Sequence, residues 1–173
     1  HSYGCQSPEE IAAVAEQERD AAVTAARRLR QLDLPCETIS VGSTPTATHA
    51  LDLFGVTEIR PGVYLLGDLD QVGLHSMPQN RVACTVLATV IGHYPDRNTL
   101  LIDAGGLALS KDTSAQRHGA HIGYGKVCDT LGEEFPGLYV YRVNQEHGHV
   151  TSDAPLPYAD LPIGSRVRVL HNH

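Results

Sequence analysis

Several features are scarce in this sequence, and each absence excludes a class of function. Aromatic residues make up 5% of the chain, no run of basic residues occurs, and the formal net charge is -7. A surface for nucleic acid or an anionic membrane needs the opposite, so the expected ligand is small. Cys5, Cys36, Cys84 and Cys128 lie far apart and form no paired motif. That excludes a zinc finger or a disulfide frame and fits reduced thiols in a cytoplasmic protein. No apolar run approaches membrane-spanning length, and no signal-peptide pattern is visible. What is present suffices for a core: 173 residues, 42% of them hydrophobic, make one domain or two small ones. The chain starts at His1 without a methionine and stops at His173 directly after a strongly patterned strand, so both ends are expected to be cut points.

The organising stretch is Ser40-Val41-Gly42-Ser43-Thr44-Pro45-Thr46. A strand is expected over 37–41 and a short helix over 47–54, which makes this a strand, polar loop and helix start in succession. Two readings fit. Gly42 allows close backbone approach while Ser43, Thr44 and the free N–H groups of the helix start bind an anion such as a phosphate; alternatively, Ser43 or Thr44 only caps its own helix.

Upstream, Ser7 as N-cap, Pro8 at the first helical position and Glu10 as the second half of a capping box predict a long helix. Its apolar stripe is Ile11, Val14, Ala15, Ala22, Ala25, Ala26 and Leu29. Downstream, strand-like segments 57–60 and 63–66 flank Pro61-Gly62, and Gly62 with Tyr64 could form a second phosphate-binding turn or an ordinary tight turn. Up to about residue 75 this alternation reads as parallel β/α units. From about Arg81 the texture changes to strands at 82–93, 99–103, 138–144, 147–151 and 166–170 with no helix between them, a mostly antiparallel β region. The boundary falls within 76–81, giving domains 1–78 and 79–173.

In the β region Asp103, Gly105-Gly106, Ser110, Lys111 and Asp112 cluster in sequence, and Glu146 and His147 sit together before Gly148. A carboxylate beside an imidazole can exchange protons or orient a metal ligand, or it can be a solvated hairpin pair. His171 and His173 point to one side of an extended segment and could share a metal, or form an exposed tail.

Taken in order, these motifs resemble the D-serine dehydratase and D-threonine aldolase family: His1-Ser2-Tyr3, Ser7-Pro8-Glu9-Glu10, the loop 41–46, Glu58-Ile59-Arg60-Pro61-Gly62-x-Tyr64, Asp103-Ala104-Gly105-Gly106, Ser110-Lys111-Asp112, Glu146-His147-Gly148 and Asn172-His173. The likeness runs nearly end to end. It implies a pyridoxal 5'-phosphate lyase with an alanine-racemase-like fold, in which the last units of a β/α (TIM-type) barrel precede a mostly antiparallel β domain. The implied chemistry is dehydration of D-serine or aldol cleavage of D-threonine, on small D-3-hydroxy amino acids, with a divalent metal, zinc or manganese. The resemblance further implies that Gly42, Ser43, Thr44, Gly62 and Tyr64 hold the cofactor phosphate, that Tyr3 lies near its ring and that His173 is a metal ligand, with a second ligand at position 175, beyond this sequence. A homodimer is implied as well.

One departure is large. The family anchors its cofactor on a lysine after the first barrel strand, whereas Lys111 and Lys126 are the chain's lysines and both lie in the β region. The chain is therefore expected to be the later portion of an enzyme, inactive and poorly soluble alone. A domain that only binds a phosphorylated small molecule, or a non-enzymatic assembly module, is the alternative.

Overall fold

Ser7 opens helix α1 (Pro8–Arg30) by accepting the Glu10 N–H at 3.2 Å. The reciprocal arm differs from a simple capping box: the Glu10 carboxylate reaches one residue further out and takes the Gln6 N–H at 2.7 Å. Arg27, Arg28 and Arg30 fill the last turn, where cations complement the helix dipole. Ile11 packs with Cys5 and Leu74, joined by Tyr3 and Val14. The expected stripe is only partly covered, since Ala25 and Leu29 are exposed.

The computed structural model describes residues 2–119 and 121–172. These fall into two units, one comprising residues up to Leu66 with Gln71–Pro78, the other Gly67–Asp70 with residues from Gln79 onward. In the first, strand β1 (Ser40–Val41) pairs in parallel with β2 (Glu58–Ile59) across helix α2 (Thr44–His49). Helix α2 begins three residues earlier than expected and ends sooner, because Ser43 supplies a full capping box with Thr46 and Pro45 sits in the first turn. Leu51 and Phe54, expected in that helix, stand exposed beyond it. Residues 63–66 curl into a turn after Pro61-Gly62 and form no strand. With two strands of two residues each, the first unit holds a βαβ element, and the described residues contain no closed β/α barrel.

A short helix α3 (Leu69–Gly73) follows. The second unit is a closed, fully antiparallel six-stranded barrel built from β3 (Val86–Tyr94), β4 (Thr99–Ile102), β5 (Gly125–Cys128), β6 (Glu134–Val143), β7 (Gly148–Thr151) and β8 (Arg166–His171), in the order β3-β4-β7-β6-β5-β8. Helix α4 (Gly106–Leu109) leaves the end of β4. The period-2 pattern puts Ala88, Val90, Leu100, Ile102, Val127, Val140, Val150, Val167 and Val169 inside. Paired positions such as Val90 with Ile102, Leu100 with Val150, and Val127 with Val169 stack across neighbouring strands. Register shifts in β3, β5 and β6 bend the sheet into closure. Among the described residues no helix is long and apolar enough to cross a membrane.

Two contacts fix the barrel's connections. Gly105 lies against the β6–β7 turn so closely that a Cβ there would stand 2.4 Å from the His147 nitrogen and 2.5 Å from the Gln145 oxygen. Asn172, fully buried, bridges two loops: its Oδ1 accepts the Ala115 N–H at 3.0 Å, and its Nδ2 donates to the carbonyls of Asp112 at 2.9 Å and Gly123 at 3.1 Å. Its own carbonyl accepts the Asp70 N–H at 3.1 Å.

Replacing Gly105 with Ala should lower the unfolding free energy of the intact protein by about 2–4 kcal/mol, because rigid backbone must move to admit the methyl group. Denaturant melts measure this. Asn172→Ala strands one buried N–H and two buried carbonyls, so a loss of about 3 kcal/mol is expected. An unchanged melt in either variant would contradict the packing described.

Candidate functional site

The loop between β1 and α2 concentrates hydroxyl groups. Ser43 is the N-cap of α2; its N–H donates to Thr46 Oγ1 at 2.9 Å, and its Oγ lies 3.0 Å from Thr46 Oγ1 and 2.9 Å from Ser2 Oγ. Three hydroxyls thus form a connected chain at the start of a helix. Ser2, Tyr3, Ser43 and Thr46 line one cavity of about 690 Å³, with Glu18 on its wall. Of the residues expected in the site, Tyr3 and Ser43 are therefore brought together. The anion-cradle and helix-cap readings of Ser43 are not exclusive: the cap is present, and its hydroxyl also faces the cavity.

Gly42 contributes conformation. Its φ of 112° lies in the region that favours glycine, and a Cβ would press on the Arg60 nitrogen at 3.2 Å. Its N–H donates to the Glu18 carboxylate at 3.1 Å, so the donors facing the cavity are hydroxyls. Thr44 is fully buried, and its hydroxyl accepts the Val63 N–H at 3.1 Å. That bond ties the 61–64 turn to the helix start. Gly62 faces open space and Tyr64 is exposed, and neither lines the cavity holding Tyr3 and Ser43. This donor set, neutral hydroxyls at a helix N-cap, fits an oxyanion such as a phosphate ester.

The second unit gathers a buried polar cluster at the end of β8. Asp68 and Asp70 are both almost fully buried, and Asp70 Oδ1 is 3.5 Å from His118 Nε2. The Asp112 loop joins the same place through Asn172, and Asp112 Oδ1 accepts the Ser114 N–H at 2.7 Å. Ser110 sits at φ 63°, unusual for a residue with a side chain, and its hydroxyl accepts the Asp112 N–H at 3.2 Å. His173, the expected metal ligand, lies outside the described residues, and among those no group of three or more ligating side chains could hold a metal ion.

Other polar residues serve the scaffold. The Asp103 carboxylate accepts the Thr89 N–H at 2.6 Å, and the Lys111 stem lies over Gly106. Glu146 and His147 are exposed at the β6–β7 turn. Cys5, Cys36, Cys84 and Cys128 are free thiols, and burial pushes the Cys128 thiol up to about 11, which keeps it protonated at neutral pH. Sequence reasoning missed Ser2, Asp68, Asp70, His118 and the structural role of Asn172. Asp68 and Asp70 follow the turn-like Gly67 with no ligating pattern around them, and Ser2 stands in the His1-Ser2-Tyr3 motif without a role of its own.

Comparison with known proteins places this geometry. The putative serine dehydratase domain matches residues 83–173. The chain is 44% identical over 176 residues to D-threo-3-hydroxyaspartate dehydratase of Delftia sp. strain HT23, covering 99% of this chain and 46% of that protein. It is 34% identical over 181 residues to D-serine dehydratase of Dictyostelium discoideum, covering 100% of this chain and 45% of that protein. The chain thus spans about half the length of the curated relatives it matches. The solved Delftia enzyme superposes with a TM-score of 0.92 over 99% of this chain and 46% of that one. D-threonine aldolase from Filomicrobium marinum, at 22% identity and a TM-score of 0.70 over 99% of this chain and 43% of that one, shares the fold. On the match over residues 83–173, more than half of its length, the chain belongs to the serine dehydratase domain family.

Proposed function

We propose that the chain is part of a pyridoxal-phosphate dehydratase acting on small D-3-hydroxy amino acids, and that residues 1–78 are the last units of its β/α barrel. The observation that carries this reading is the linked set of Ser2, Ser43 and Thr46 hydroxyls beside Tyr3 in one cavity. The relatives named as dehydratases support elimination over aldol cleavage, since the aldolase likeness is one of fold.

When bound, the cofactor supplies an electron sink for charge developing at the substrate α-carbon. The chain's own residues hold and orient. Ser43 Oγ and Thr46 Oγ1 offer donors to a phosphate at the positive end of α2. Gly42 and Thr44 shape the loop, one by its positive φ and the other by fastening the 61–64 turn; Gly62 and Tyr64 belong to that turn, outside the cavity that holds Tyr3 and Ser43. Tyr3 gives the cavity an aromatic wall for the ring. Neither lysine stands in the first unit, and Lys126 is held by Gln79 at 2.8 Å and Glu134 at 3.3 Å. The covalent anchor therefore belongs to polypeptide outside this chain. His173 is the proposed ligand of a divalent metal, and the working form is a homodimer.

Ser43→Ala in the intact enzyme should weaken cofactor binding by about 1–3 kcal/mol, the scale of a lost hydrogen bond to a charged group. Ser2→Ala, which breaks the hydroxyl chain without removing the cap, should weaken it less. Spectroscopic titration with cofactor measures both. A Ser43→Ala protein that melts earlier but binds cofactor normally would leave Ser43 as a helix cap alone.

His173→Ala should remove the bound divalent metal while the cofactor's absorption band persists. Elemental analysis checks this, and full metal occupancy in that variant would reject His173 as a ligand.

A further inference from the structure

The outer face of the barrel carries a second site, formed where β4, β7 and β6 lie side by side. Leu101 pairs with His149, and His149 with Arg142, so these three residues form one row across the sheet while Leu100, Ile102 and Val150 point inward. The β3–β4 turn brings Tyr94 and Arg97 to one end of the row, and the β6–β7 turn brings His147 to the other. A concavity of about 230 Å³ opens between them, bordered by Tyr94, Arg97, Tyr141, Arg142, His147 and His149. No aspartate or glutamate lines it, in a chain whose net charge is -7.

The cations here lack partners that comparable groups have elsewhere. Arg19 is held by Glu16, Asp20 and Asp52. Neither Arg97 nor Arg142 has a carboxylate within ion-pair distance among the described residues. Half-buried His149 stacks edge-on against Tyr141, with ring centroids 6.0 Å apart. Its pKa is held below the ordinary histidine range by burial, then by Arg142 and His147. Two guanidinium groups beside a cavity without carboxylates mark a place where an anion would be stabilised.

We propose that this face binds a small dianionic oxyanion, a phosphate or a short dicarboxylate. Two guanidinium forks suit paired oxygens, the tyrosine hydroxyls add neutral donors, and the volume admits an anion of a few heavy atoms but not a nucleotide. Binding strengthens as pH falls, because His149 then adds charge, and a bound anion draws the His149 pKa upward. The other groups facing His149 are Tyr141 and Arg142 on β6, Asn144 just past its end, Tyr94 on β3 and Arg97 in the β3–β4 turn; Asp96 and Glu146 lie on the same turns but do not line the cavity. This inference stands apart from the proposed cofactor site.

The test is calorimetric titration of the intact, cofactor-loaded enzyme with inorganic phosphate and, separately, with succinate at matched ionic strength. Saturable uptake of at least one is expected, weakened about tenfold or more in the Arg97→Gln/Arg142→Gln protein. His149→Gln should flatten its pH dependence. Arg28→Gln, which removes an exposed cation from α1, and Ser43→Ala should leave it unchanged. A preference for phosphate or succinate identifies the type of oxyanion. Absence of saturable uptake, an equal loss in Arg28→Gln, or loss only in Ser43→Ala would overturn the proposal.

Discussion

Closure of the antiparallel sheet through β8 is the constraint on which the second unit depends. That strand pairs with β3 on one side and β5 on the other, so one six-residue segment removes both free edges of a five-stranded ribbon. Val167 and Val169 point inward from it and complete the apolar interior. Asn172, just past its end, then satisfies backbone groups from two loops that no strand could pair. Ladder, core and loop anchoring meet in one short stretch.

The two units use polar groups differently. In the first, hydroxyls gather around a helix start and remain next to a cavity, where a ligand can replace or join their mutual hydrogen bonds. In the second, the Asn172 amide is buried and committed to backbone, which favours a fixed arrangement over ligand exchange. The charged concavity on the outer wall is a third arrangement, in which side chains of one sign stand together at a solvated surface.

Helix α1 was legible because its start signals are local: Ser7, Pro8 and Glu10 lie within four residues, and the stripe repeats at helical spacing. The loop at Ser43 was legible as a junction, but not its bonding, because the Ser2 partner is distant in sequence. Strand β5 escaped notice: four residues beginning with glycine show no alternation, and its pairing with β6 and β8 is a tertiary fact. The strand expected over 63–66 failed for the complementary reason, having the right residue types and no neighbour to pair with. Barrel closure could not be read at all, since β-branched runs announce strands but not which strands meet.

The pairing of Val86 with Val169 has a consequence for how the molecule is made. The first and last strands of the barrel in chain order are neighbours in space, so the ring stays open on the ribosome until nearly the whole unit has been synthesised. Until then β3 and β5 present unpaired backbone along their lengths, and the loop-closure entropy of joining such distant segments makes the final step slow. Synthesis and early folding are thus the interval in which this protein is most open to pairing with the wrong strand, and the period when a chaperone would matter most to it.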